Sequence, residues 1–316
     1  MTRAAGRQRR GLALVGAALA LAGCTRAMFN PASGPPLTTR DSAAAHRELV
    51  FETADGLRLG AWFLPGGPDA RGTVVFLDGA ENIRHHIDHV DWLPAAGYNV
   101  FLFNYRGYGR SQGEPSMGGF HRDLRAAMRT ADALDGLPRT RLVVFGQSLG
   151  GAVATVTLAD LPAAQRDIGA IVIDSAPADY RRIVRETLAA SWYTWPLQWP
   201  LSRLITDAYR PDRAAARLPA IPKLWIVNDG DATVGSHHTE LLHERAPAPK
   251  ALWRIRPRAH MATLDDPAAR AAFARWLGRA LDTRRARPAP RARLRAADPE
   301  RAGWPPRQSS SPDDNQ

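Results

Sequence analysis

A serine set between glycines, Gly146-Gln147-Ser148-Leu149-Gly150 with Gly151 directly after, is the part of this chain best suited to covalent chemistry. A hydroxyl is a weak nucleophile unless the backbone holds it clear of its neighbours and a base can take its proton. The flanks address the first need. The apolar run Leu142-Val143-Val144-Phe145 predicts a strand and Ala152 to Leu161 predicts a helix, so Ser148 falls on the tight turn between them. Glycines belong there because a neighbouring Cβ would clash in so strained a turn. The turn lifts the hydroxyl over the sheet edge and leaves the backbone N–H of Leu149 available to an oxyanion.

Other elements have to bring a base and an orienting carboxylate to that hydroxyl. The runs 48–53 and 57–64 flank Asp55-Gly56 and predict an antiparallel hairpin. Short apolar runs follow at 73–77, 99–104, 141–146, 170–174, 224–228 and 251–255, with helical segments at 120–134, 152–161, 236–245 and 266–281. This alternation predicts an α/β fold: a mostly parallel, twisted sheet of about eight strands with helices on both faces. The 175–218 stretch breaks the rhythm and predicts a small helical cap carrying Trp192, Tyr193, Trp195 and Trp199. These aromatics fit either the packed core of cap helices or a lid presenting indoles to lipid. Past the 224–228 run lies Asp229-Gly230-Asp231-Ala232-Thr233-Val234, and past 251–255 lies Arg256-Pro257-Arg258-Ala259-His260-Met261. Strand ends would deliver both groups to the rim that carries Ser148.

The segment Tyr105-Arg106-Gly107-Tyr108-Gly109-Arg110-Ser111-Gln112-Gly113 is similar to the Y-R-G-x-G-x-S-x-G loop of one α/β-hydrolase branch, that of lysophospholipase-, monoacylglycerol-lipase- and S33 aminopeptidase-like serine hydrolases. Asp231 followed by Val234 is similar to that branch's acid motif, and His260 stands where its histidine does; the resemblance runs over about residues 48–281. It implies Ser148 as nucleophile, His260 as general acid and base, and Asp231 as the orienting carboxylate, with Asp229 and, more distantly, Asp174 as rivals. It implies an ester substrate, a small molecule or a lipid, and no metal or organic cofactor. Where the branch has H-G-N-x-x-N, this chain has Leu77-Asp78-Gly79-Ala80-Glu81-Asn82, which puts the second oxyanion donor on the N–H of Gly79 or, shifted by one, of Ala80. A carboxylate at Asp78 is unfavourable there unless it points away or pairs with an arginine. Arg106 is expected to brace the elbow through backbone carbonyls, with direct contact to substrate as the alternative. His85, His86, His89, His237, His238 and His243 are expected on helix surfaces, and His121 near a helix start. An S33-type peptidase and a non-catalytic envelope protein remain as alternative readings.

The N-terminus has the form of an export signal. Arginines up to Arg10 precede the apolar run Gly11 to Ala22, too short to span a bilayer, and Leu21-Ala22-Gly23-Cys24 resembles a bacterial lipobox. Residues 1–23 are therefore expected to be a signal peptide, the single cysteine Cys24 the lipidation site, and 24–46 a tether to a domain at 47–283. That places the protein at a membrane surface in the bacterial envelope, with Thr25 leaning toward the outer membrane and its periplasmic face. Residues 284–316 are Arg-, Pro- and Ser-rich and are expected to be disordered. Of the net charge of +11, four arginines before Cys24 and a tail with eight arginines against four acids supply all but +3. The basic character lies at the ends, which argues against nucleic-acid binding by the folded part.

Overall fold

A computed structural model describes residues 45–284, apart from 80–82, 84–85, 135 and 256–259. The expected signal peptide, Cys24, the tether up to residue 44, Ala80, His85 and the tail beyond Arg284 lie outside the described residues.

Eight strands form one sheet: β1 (Arg47–Glu52), β2 (Arg58–Leu64), β3 (Thr73–Leu77), β4 (Asn99–Phe103), β5 (Leu142–Gln147), β6 (Ala170–Asp174), β7 (Lys223–Asn228) and β8 (Lys250–Ile255). Their order is β1-β2-β4-β3-β5-β6-β7-β8. The opening hairpin pairs antiparallel, β1 with β2 and β2 with β4, while every pairing from β4 to β8 is parallel. The sheet is thus mixed, with its antiparallel pairings confined to one edge. Among the described residues seven α-helices accompany it: α1 (Met117–Leu134), α2 (Leu149–Ala159), α3 (Tyr180–Ala189), α4 (Gln198–Ser202), α5 (Pro211–Ala214), α6 (Ser236–Arg245) and α7 (Pro267–Asp282).

The inner strands read as unbroken apolar runs because both faces are covered, and their two-residue period sorts them into two cores. Val75, Phe101, Val144, Ile171 and Trp225 point to one face, against Phe120 and Leu124 of α1, Val153 of α2 and Leu242 of α6. Val74, Val100, Phe145, Val172 and Ile226 point to the other, against Leu93 and against Phe273 and Leu277 of α7. Helix α2 begins at Leu149, three residues before the expected start, because the chain enters the helix straight from the turn that holds Ser148. The long connection between β6 and β7 holds α3, α4 and α5; within α3 only Tyr180 is buried. None of the described helices is long and apolar enough to cross a membrane.

Candidate active site

Ser148 occupies the turn between β5 and α2 with φ 50° and ψ −124°, a left-handed conformation costly for a residue with a side chain. Its N–H donates to the carbonyl of Asp174 at 2.9 Å, and its carbonyl accepts from Gly151 N–H at 3.1 Å, so strand β6 and helix α2 together hold the strain. The flanking glycines are obligatory by close approach. A Cβ on Gly146 would lie 2.6 Å from the Gly150 carbonyl oxygen, and one on Gly150 would lie 2.6 Å from the Leu77 carbonyl carbon. Among the described residues only Ser148, Ser175 and Met261 have positive φ without being glycine. Ser175 follows the end of β6 and Met261 follows His260, so all three strained positions border the same rim.

Onto that rim the loop after β8 brings His260. Its Nε2 lies 3.0 Å from Ser148 Oγ, and its Nδ1 lies 2.5 Å from Asp231 Oδ2. The other oxygen of Asp231 accepts from the N–H groups of Thr233 at 2.8 Å and Val234 at 2.9 Å. Burial pushes the Asp231 carboxyl up, but the bond to His260 and the N–H of Val234 outweigh it, so the group stays below its ordinary range and ionised at neutral pH. The rival carboxylates are turned elsewhere. Asp229 is exposed and pairs with Arg254 at 2.6 Å. Asp174 is fully buried and accepts from Gln147 Nε2 at 2.9 Å and Ser175 Oγ at 3.0 Å.

The oxyanion side is more unusual. Leu149 supplies the first N–H of α2, where the helix dipole also favours negative charge. Gly79 N–H, the other expected donor, points at Asp78 Oδ1, 2.5 Å away. The second oxygen of Asp78 lies 2.7 Å from Nδ1 of His86 and 3.5 Å from Nδ1 of His89. Burial alone would push the Asp78 carboxyl up; the two imidazoles reverse this and hold it well below the usual carboxylate range. Burial opposes the charging of His89, yet Asp78 and Gln147 together raise its pKa above the ordinary value. His86 is buried and His89 partly so, contrary to the expected helix-surface placement. The segment Ile87–His89 is a single 3-10 turn laid on the sheet, so helical periodicity does not apply to it.

His238, also expected on a surface, is fully buried. Its Nδ1 accepts from Ala178 N–H at 3.1 Å, which leaves the proton on Nε2, 2.9 Å from Glu186 Oε2 of α3. His237 Nε2 lies 3.0 Å from the other Glu186 oxygen, so α6 grips the cap helix. Asp78, His86 and His89, and likewise Glu186, His237 and His238, are spaced closely enough to hold a metal ion. In the second group the Ala178 bond makes His238 Nε2 a hydrogen-bond donor; in the first, His89 Nδ1 is 2.7 Å from Gln147 Oε1, which can only accept. Both arrangements suit hydrogen-bonded clusters better than a ligand set.

Arg106 braces the loop after β4, but through carboxylates and not the expected backbone carbonyls. Its guanidinium donates to Asp123 at 2.7 Å and to Asp55 at 2.9 Å, and its N–H donates to Asp123 at 2.9 Å. Asp123 is fully buried on α1, so this pair ties the loop, the opening hairpin and α1 together below the site.

Known proteins share this architecture. The family model described as "Serine aminopeptidase, S33" matches residues 68–265. YfhR of Escherichia coli K12 is 33% identical over 225 residues, covering 69% of this chain and 74% of that protein. The α/β hydrolase domain-containing protein WAV2 of Arabidopsis thaliana is 33% identical over 160 residues, 48% of this chain and 52% of the plant protein. Among solved structures, the Pyrococcus furiosus esterase Pf2001 superposes with a TM-score of 0.63 at 21% identity, covering 80% of this chain and 96% of the esterase, a likeness of fold. The matched stretch contains Ser148, Asp231 and His260, and the chain belongs to the S33 serine aminopeptidase family of the α/β-hydrolase superfamily.

Proposed function

We propose that this hydrolase cleaves carboxylic esters through an acyl-enzyme on Ser148. The observation that carries the reading is the imidazole of His260, within 3.0 Å of the Ser148 hydroxyl and 2.5 Å of the Asp231 carboxylate. Ser148 Oγ attacks the ester carbonyl carbon while His260 Nε2 takes its proton, and Asp231 stabilises the resulting imidazolium. Negative charge on the carbonyl oxygen is met by Leu149 N–H and by Gly79 N–H once that donor turns from Asp78. The imidazolium passes its proton to the departing alkoxide, leaving an acyl ester on Ser148. Water then attacks this ester, giving up a proton to His260, and the carboxylic acid leaves as the serine hydroxyl re-forms.

Esterases among the structural neighbours favour an ester, and the aromatic cap favours an apolar acyl group. Lipidation at Cys24, anchoring in the bacterial envelope and a periplasmic setting belong to this proposal and rest on the sequence alone. A peptidase reading draws on the family's description, but aminopeptidase chemistry needs a carboxylate for the substrate's amino group. Asp179, Asp207 and Asp212 pair with Arg210, and Glu186 with Arg182 and His238, so the acids of the cap are already engaged.

Labelling with a fluorophosphonate probe, alongside hydrolysis of p-nitrophenyl esters and aminoacyl amides, tests the reading. Wild-type protein is expected to label and to prefer esters, and Ser148→Ala to lose both. Ester hydrolysis undiminished in Ser148→Ala overturns the mechanism, and an amide preference overturns the substrate class. Absence of labelling in wild-type protein leaves the non-catalytic reading.

A further inference from the structure

Every exposed large hydrophobic side chain among the described residues lies in one segment of the cap. Trp192 is 87% exposed, Tyr193 67%, Trp195 58% and Trp199 56%, and three leucines between residues 197 and 204 join them. Contiguous apolar surface of this kind marks a binding face, because leaving it in water is costly. Indole and phenol rings, apolar in body and polar at one edge, suit the boundary between lipid headgroups and acyl chains.

Charge selects the lipid. The guanidinium of Arg185 lies 4.9 Å from the centre of the Trp199 ring, and Arg203 follows α4. Neither arginine has an ion-pair partner among the described residues, while the acids of the cap are held by other groups. The face therefore presents aromatics with uncompensated positive charge beside them, which complements an anionic headgroup. The sequence ahead of the domain allows the contact. An anchor at Cys24 leaves residues 25–46, and 22 residues extended at about 3.4 Å each reach about 75 Å. A domain of this length is about 45 Å across, so the tether can pass from the membrane around the molecule to β1.

We propose that the cap docks on an anionic lipid bilayer through Trp192, Tyr193, Trp195 and Trp199, with Arg185 and Arg203 on the phosphates. This goes beyond the esterase reading and does not depend on it. Docking turns the rim bearing Ser148 toward the membrane, since the cap joins the sheet at the carboxyl end of β6.

The test uses the full chain carrying Cys24→Ser, which removes acylation, and vesicles of phosphatidylcholine alone or with phosphatidylglycerol. Both arginine-rich termini remain in every variant, so differences report the cap. The parent is expected to bind mixed vesicles, with tryptophan emission shifted to the blue and quenched by brominated acyl chains. Combined Trp192→Ser, Trp195→Ser and Trp199→Ser is expected to weaken binding by at least about a hundredfold and abolish the quenching. Arg185→Gln with Arg203→Gln is expected to weaken binding to the mixed vesicles by about fivefold per arginine and leave phosphatidylcholine binding unchanged. Equal binding by the parent and the tryptophan variant overturns the proposal. So does sedimentation showing a parent dimer that the tryptophan variant dissolves, which would make the face a contact between copies. Ser148→Ala is expected to bind like the parent, so failure of the catalytic reading is distinguishable from failure of this one.

Discussion

Replacing Asp231 with asparagine removes the carboxylate charge beside His260 while keeping the side chain's shape. The Asp231 side chain is only 1% exposed, and its Oδ2 lies 2.5 Å from His260 Nδ1. With charge centres about 4 Å apart and an effective dielectric of about 20, the carboxylate favours the imidazolium by about 4 kcal/mol. That corresponds to about a thousandfold in kcat. Asparagine adds a second fault. Held by Thr233 and Val234 N–H groups through its oxygen, its amide would present N–H to Nδ1 and drive the imidazole proton onto Nε2, facing Ser148. The hydroxyl then meets a donor where it needs an acceptor, and the combined loss is expected to approach about ten-thousandfold. Asp229→Asn is the control. Asp229 sits in an exposed pair with Arg254, of the kind worth little in water, and kcat is expected to stay within about twofold. The assay is steady-state hydrolysis of a short p-nitrophenyl ester, with unfolding curves confirming that both variants fold. Asp231→Asn within tenfold of wild type, or Asp229→Asn as damaging as Asp231→Asn, refutes the assignment.

Two further outcomes concern the scaffold. Asp123→Asn strips the buried partner from Arg106, which is itself 4% exposed, and is expected to cost about 3 kcal/mol or more, with Tm falling by about 10 °C; a loss below about 1 kcal/mol in urea unfolding contradicts the bracing role. His121, 5% exposed, has its pKa pushed down to about 4 by burial and by Arg125. An unfolded imidazole takes its proton near 6.5, so between these values the unfolded chain binds more protons and stability falls as pH falls, by up to about 3 kcal/mol. His238 and His243 are lowered as well and act in the same direction, while His89, which is raised, opposes them. Urea unfolding between about pH 6.5 and 4.5 is therefore expected to show a shallower pH slope in His121→Gln than in wild type, and identical slopes contradict the assignment.

Much of the fold was legible because its inner strands are buried on both faces. The expected runs at 73–77 and 170–174 coincide with β3 and β6; β4, β7 and β8 differ by one residue at one end, and β5 by one at each end. The elbow was legible for a related reason, since only glycine fits where α2 passes the end of β3. The histidines were not. His86 and His89 meet Asp78 because a 3-10 turn folds them down onto the sheet, and His238 reaches Glu186 because the connection after β6 brings α3 against the start of α6. Neither approach leaves a periodic trace. Arg106 was legible as a brace but not in its partners, since Asp55 lies 51 residues away on a different element.

The sequence by itself determined the glycine turn that bears Ser148, the apolar runs that became strands, and the placement of Asp231 and His260 after two of them. It also carries the basic, apolar and cysteine pattern of the N-terminus. Tertiary structure alone decided which of Asp174, Asp229 and Asp231 faces the imidazole, and that Asp78 turns to Gly79 and two histidines. Ser148 and His260 are 112 residues apart and meet only because the crossovers set β5, β6, β7 and β8 side by side. Local propensity fixes which residues follow a strand, but the lateral order of strands, and with it the distances between their ends, comes from burying both faces of the sheet at once.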